Sequence, residues 1–119
     1  MAVVAMTVVL DLFSGLPNPS WVLTEAEVRA LEQQVATLRP APQKDVPARP
    51  GLGYRGFVIK PVGEGGGEQI EVYNGIVKVG RTVLEDPERS VERWVLQTGQ
   101  AHLPDEITRM VKDELEARP

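Results

Sequence analysis

From Val4 to Leu12 every second residue is apolar: Val4, Met6, Val8, Leu10 and Leu12. Between them stand Ala5, Thr7, Val9 and Asp11, a mixed set. Side chains alternate faces along a strand, so this period of two, rich in β-branched residues, predicts a long strand with one fully buried face. Such a strand needs a sheet to join and a layer to cover it. The 119-residue chain has room for one domain, residues 1–119, and contains no cysteine. Disulfides, thiol nucleophiles and Cys-ligated metals are therefore excluded, and the apolar core has to supply the stability. A single histidine, His102, rules out a multi-histidine metal site within one chain, and no cofactor is expected.

Later segments supply the cover. Thr24 followed three residues on by Glu27 is a capping box, which predicts a helix whose stripe is Val28, Leu31, Val35 and Leu38, ending before Pro40. Ser20–Leu23 reads as a short return strand or an extended entry to that helix. Residues 40–50 hold four prolines and read as an internal surface loop. Three strands are expected next, Gly56–Lys60, Gln69–Tyr73 and Ile76–Val79, the last extended toward Val83 and Leu84. Asn74-Gly75 is a type I′ hairpin signal. Asp86-Pro87 is read as a cap and first-turn proline for a second helix with Val91, Trp94, Val95 and Thr98 on its stripe, closed by Gly99. Pro104-Asp105-Glu106 opens a third, with Ile107, Met110, Val111 and Leu115 inward. The expectation is an α+β fold of order βαβββαα, an antiparallel sheet of about four strands with helices on one face.

Seventeen acidic residues against thirteen basic leave a net charge of −4, the wrong sign for a nucleic-acid partner. The apolar start has no basic residue before Arg29 and is about half a bilayer span, so neither a signal peptide nor a membrane helix is expected, and the cytoplasm is the default compartment. The second face of the first strand, with Val3, Ala5, Val9 and Phe13, is apolar enough to need cover from a partner or from the return segment, and a homodimer is the expectation.

The run Gly51-Leu52-Gly53-Tyr54-Arg55-Gly56 satisfies G-x-G-x-x-G, but a proline-rich loop precedes it and a strand follows. A dinucleotide site needs the reverse, a strand before and a helix after, so these glycines are assigned to tight turning ahead of a strand. His102 has no Ser or Asp arrangement around it and reads as a surface residue. The glutamates of the helices read as solvent positions. The most unusual segment is Phe13–Trp21, FSGLPNPSW, in which Pro17 and Pro19 stiffen the backbone around Asn18. Asn18 offers an amide on that corner, Trp21 and Tyr54 offer ring faces, and Arg55 binds an oxyanion or pairs with Asp11. Trp21 plugged into the core is the structural alternative.

The stretches FSGLPNPSW, GLGYRGF and VERWVL resemble a pattern of small uncharacterised bacterial proteins that carry FSGxPNPxW and a GLGYRGF-like segment. The resemblance implies no activity, substrate or cofactor. The expected function is a non-enzymatic binding or accessory protein that recognises a protein or small ligand through the proline corner, with Asp11, Asn18, Trp21, Tyr54 and Arg55 as ligand-binding residues. The alternatives are an immunity- or inhibitor-type partner of another bacterial protein and a small enzyme using Asp11, Tyr54 and Arg55.

Overall fold

A computed structural model describes residues 5–13, 18–41, 53–62 and 67–116. Its strands are β1 (Met6–Phe13), β2 (Ser20–Val22), β3 (Gly53–Pro61), β4 (Ile70–Tyr73), β5 (Ile76–Val79) and β6 (Thr82–Glu85). They form one antiparallel sheet in the order β2-β1-β3-β4-β5-β6. Three helices, α1 (Glu25–Ala36), α2 (Ser90–Gly99) and α3 (Asp105–Glu116), complete an α+β fold of order ββαββββαα. The expected class holds, whereas the sheet has six strands among the described residues against about four expected, and the order βαβββαα is corrected. Ser20–Val22 is a true strand because Leu10 N–H donates to the Pro19 carbonyl and Leu23 N–H to that of Met6, locking Trp21 opposite Val8. The run from Ile76 to Leu84 divides into two strands at Gly80, whose φ of +58° turns the chain.

The alternation in β1 is realised in the packing. Met6, Val8, Leu10 and Leu12 are buried under the helices in one cluster with Val28, Leu31, Val95 and Val111, while Val4 lies outside the described residues. Each fully buried aliphatic side chain contributes about 1.5–3 kcal/mol. The capping box is complete, Glu27 N–H donating to Thr24 Oγ1 at 3.1 Å and Thr24 N–H to Glu27 Oε1 at 2.8 Å. The Asn74-Gly75 turn has both residues at positive φ, +50° and +87°, as the type I′ hairpin requires. Met110 departs from its expected inward stripe and is 40% exposed, whereas Val111 and Leu115 are buried.

One irregularity organises the centre of the sheet. Leu10 pairs with Phe57 and Leu12 with Tyr54, so β3 carries one more residue than β1 between these pairs. Gly56, at φ +92°, absorbs that bulge, and a Cβ there would overlap the Val72 carbonyl oxygen and the Tyr73 Cβ. Two glycines of the G-x-G-x-x-G run, Gly53 and Gly56, thus lie inside β3 and not ahead of it. The extra residue changes the side-chain parity: Tyr54 and Phe57, three apart, both face the helices, and Arg55 turns to the other face, which is uncovered among the described residues. At the far edge, Ala41 N–H donates to the Val83 carbonyl and Glu85 N–H to that of Arg39, which closes β6 against further strand addition.

Candidate functional site

The segments that stand out in the sequence meet inside the molecule. Trp21, from the proline corner, is buried on β2 with its ring edge toward Phe57 at 6.2 Å, and Tyr54 meets the same Phe57 at 5.9 Å. The Trp21 indole N–H donates to Thr98 Oγ1 at 2.9 Å, and that hydroxyl donates to the Val95 carbonyl at 2.6 Å. Gly99 lies so close to the indole that any Cβ would overlap it. Exposed His102 stacks parallel to the Trp21 ring at 6.5 Å.

Tyr54 leads to a buried ionic cluster at the start of α2. Its hydroxyl donates to Glu92 Oε2, and Arg89 grips the same carboxylate through both Nε, 2.8 Å from Oε1, and Nη2, 2.7 Å from Oε2. The Arg89 and Glu92 side chains are 7% and 0% exposed. Glu92 therefore corrects the expectation that the helix glutamates all face solvent. It lies four and seven residues before Leu96 and Gly99, on the buried face of α2, which is the periodic signal that marks it.

The helix start is also corrected. Pro87–Arg89 form a 3-10 turn, Glu88 and Arg89 are left-handed at φ +58° and +57°, and α2 begins only at Ser90. Asp86 still caps it from upstream, accepting from Val91 N–H at 2.8 Å and Glu92 N–H at 3.1 Å. Arg89 Nη1 donates to the Glu114 carbonyl and Arg93 Nη2 to that of Leu115, so two cations beside α2 satisfy carbonyls at the end of α3.

Charge in this enclosure is balanced by contact. Burial first, then the charge and hydrogen bond of Glu92, hold the Tyr54 phenol far above its usual value of 10.0. Burial raises the Asp86 carboxyl above its usual 3.8, and the two backbone N–H donors only partly offset it. Burial alone would lower the Arg89 guanidinium, but the hydrogen bonds and charge of Glu92 carry it above its usual value.

The five residues expected to bind a ligand are divided between two faces. Tyr54 and Trp21 point into the core. Asn18 Oδ1 accepts from Leu12 N–H at 2.9 Å, at the point where Leu12 pairs with Tyr54, so the corner amide finishes the β1 ladder. Asp11 and Arg55 stand together on the uncovered face, Oδ2 and Nε 3.9 Å apart, beyond hydrogen-bond distance. The Arg55 Nε–H is buried without an acceptor among the described residues.

None of these five lines the two joined concavities beside α2. A cleft of about 410 Å³ separates the end of α1 from the turn before α2, with Gln34, Leu38, Arg39, Glu85, Glu88 and Ser90 in its walls and Asp86 at its base. It shares Gln34, Glu88 and Ser90 with a neighbouring 590 Å³ groove that adds Arg93, Trp94 and Gln97. Among the described residues no three metal-ligating side chains converge, and no helix is long and apolar enough to cross a membrane. Comparison with protein-family models, curated proteins and solved structures finds no match.

Proposed function

We propose that this protein is a non-enzymatic binding protein whose ligand, a small molecule or a short segment of another protein, sits in the groove between α1 and α2. The observation that carries the reading is the continuity of the two concavities, which join through three shared wall residues and place the half-buried Trp94 ring beside amide, carboxylate and guanidinium groups. Backbone strain at Glu88 and Arg89, on the lip of this groove, adds to it, because consecutive left-handed non-glycine residues persist where the surroundings over-determine them. The groups with acid–base potential support binding over catalysis. Tyr54, Arg89 and Glu92 are sealed from solvent and engaged with one another, and Tyr54 is on the opposite face of the sheet from Asp11 and Arg55.

An amide-resolved NMR titration tests the reading, with isotope-labelled full chain against a fragment library and a pool of mixed short peptides. Shifts confined to Gln34, Leu38, Glu88, Ser90 and the Trp94 indole are expected, and Ser90→Trp, which fills the junction of the two concavities, should abolish them. Shifts that gather at Asn18 and Leu12 would return the site to the proline corner.

A further inference from the structure

The uncovered face of the sheet carries an unfinished contact. Asp11 and Arg55 are side by side there, 21% and 32% exposed, with opposite charges 3.9 Å apart and a buried guanidinium N–H that meets no acceptor among the described residues. Beside them runs a patch of valines. Val9 pairs with Val58 across the β1–β3 ladder, and Val22 and Val62 are the two most exposed large apolar side chains described, at 61% and 52%. Alternation along β2 and β3 sets both on this face, Val22 next to Thr7 and Val62 two residues beyond Lys60.

We infer that this face is an isologous interface with a second copy of the chain. The charges select the symmetry. A two-fold axis that runs along the strands between β1 and β3 lays β1 of one copy over β3 of the other. Asp11 then faces the partner's Arg55, Arg55 faces the partner's Asp11, and Val9 faces the partner's Val58. The other in-plane axis, across the strands, lays β3 over the partner's β3, so Arg55 never meets the partner's Asp11, and with the axis near Val58 it meets the like charge of the partner's Lys60. In the chosen arrangement the exposed part of each guanidinium lies between two carboxylates, that of its own Asp11 and that of the partner's Asp11. The interface uses none of the groove residues and stands or falls apart from the groove's binding function.

The test is sedimentation equilibrium of the full chain from low to high micromolar concentration, with far-ultraviolet circular dichroism as the folding control. Wild type should reach a monomer–dimer equilibrium. Asp11→Arg and Arg55→Asp, each alone, should weaken it by about tenfold or more, since each sets like charges against each other twice per dimer. Mixed together, the two variants should form a heterodimer near wild-type affinity. The introduced cation of one variant then meets the introduced carboxylate of the other, and the two native side chains left at these positions, Arg55 in the first and Asp11 in the second, meet as they do in wild type. A second measurement needs no substitution: amide signals of Val9, Val22 and Val58 in the wild-type chain should shift with concentration while those of α1 stay fixed. A wild-type chain that remains monomeric at high micromolar concentration overturns the inference, as do single variants that dimerise like wild type or a mixture that stays monomeric.

Discussion

Two arginine–carboxylate contacts sit on opposite sides of one sheet, and they share chemistry but little else. Arg89 and Glu92 meet in two charge-assisted hydrogen bonds under the helices, with Tyr54 as a third donor to the carboxylate. Arg55 and Asp11 face outward and do not close to hydrogen-bond distance. In the enclosed pair each atom's alternative partner, water, has been removed, so geometry must be complete or the fold fails. At the outer pair, 21% and 32% exposed, water reaches part of each side chain, and the isolated chain tolerates an open contact although the Arg55 Nε–H itself is buried.

The largest expected effect tests the first half of that contrast. Glu92→Ala leaves the Arg89 guanidinium buried without its counter-charge and should cost about 3–5 kcal/mol in urea denaturation. Replacing both partners, Arg89→Met with Glu92→Leu, should recover much of that loss, because it is the uncompensated charge that destabilises. If Glu92→Ala alone is mild, the cluster is not sealed. Next, Gly56→Ala should cost about 3 kcal/mol, from a backbone conformation at φ +92° that alanine resists and from the overlap with Val72 and Tyr73. Since Gly56 sets the parity that sends Tyr54 inward and Arg55 outward, this change strikes the partition itself.

Tyr54→Phe removes one donor from Glu92 and should cost about 2 kcal/mol. Its pH signature has a definite sign. The folded phenol lies above the unfolded value of 10.0, so its contribution is intact below pH 10 and is lost as pH rises beyond it. Wild type should lose stability above pH 10 more steeply than Tyr54→Phe does. Asp86 has the opposite ordering from most carboxylates. Its folded value is raised above 3.8, so the stabilisation from its proton is present at lower pH and declines as pH rises through that window. The stability difference between wild type and Asp86→Asn should therefore move against wild type as pH rises from below 3.8 to neutrality, read by chemical denaturation at each pH. The smallest effect is expected outside: Asp11→Ala should change the stability of the monomer by less than about 1 kcal/mol.

Local patterns carry the sequence reading as far as local physics reaches. The β1 alternation, the Thr24–Glu27 box and the Asn74-Gly75 turn depend on residues within a few positions of one another, and all three appear in the structure as expected. What escapes depends on partners far along the chain. The bulge at Gly56 is defined by the pairing of β3 with β1, and one extra residue reverses which side chains look inward. Glu92 reads as a solvent glutamate until Tyr54 and Arg89 arrive beside it. Val79 and Thr82 flank a two-residue turn, Gly80-Arg81, that is too short to separate the apolar residues on either side into two runs, so two strands read as one. At the proline corner, stiffness is legible and its purpose is not. The Asn18 carbonyl is spent on the Leu12 amide, a bond six residues long, and Trp21 on a threonine 77 residues away.

That last separation bears on how the chain is made. Trp21 and the buried face of β1 leave the ribosome well ahead of Thr98, Gly99 and the α2 side chains that cover them. At about 5–20 residues per second, synthesis leaves the apolar strand without its roof for on the order of several seconds. Throughout that interval Met6, Val8, Leu10 and Leu12 face the crowded cell on a nascent chain. The feature that ties the finished molecule together from end to end thus also defines its most vulnerable moment, when a chaperone that shields short aliphatic strands would have the most to do.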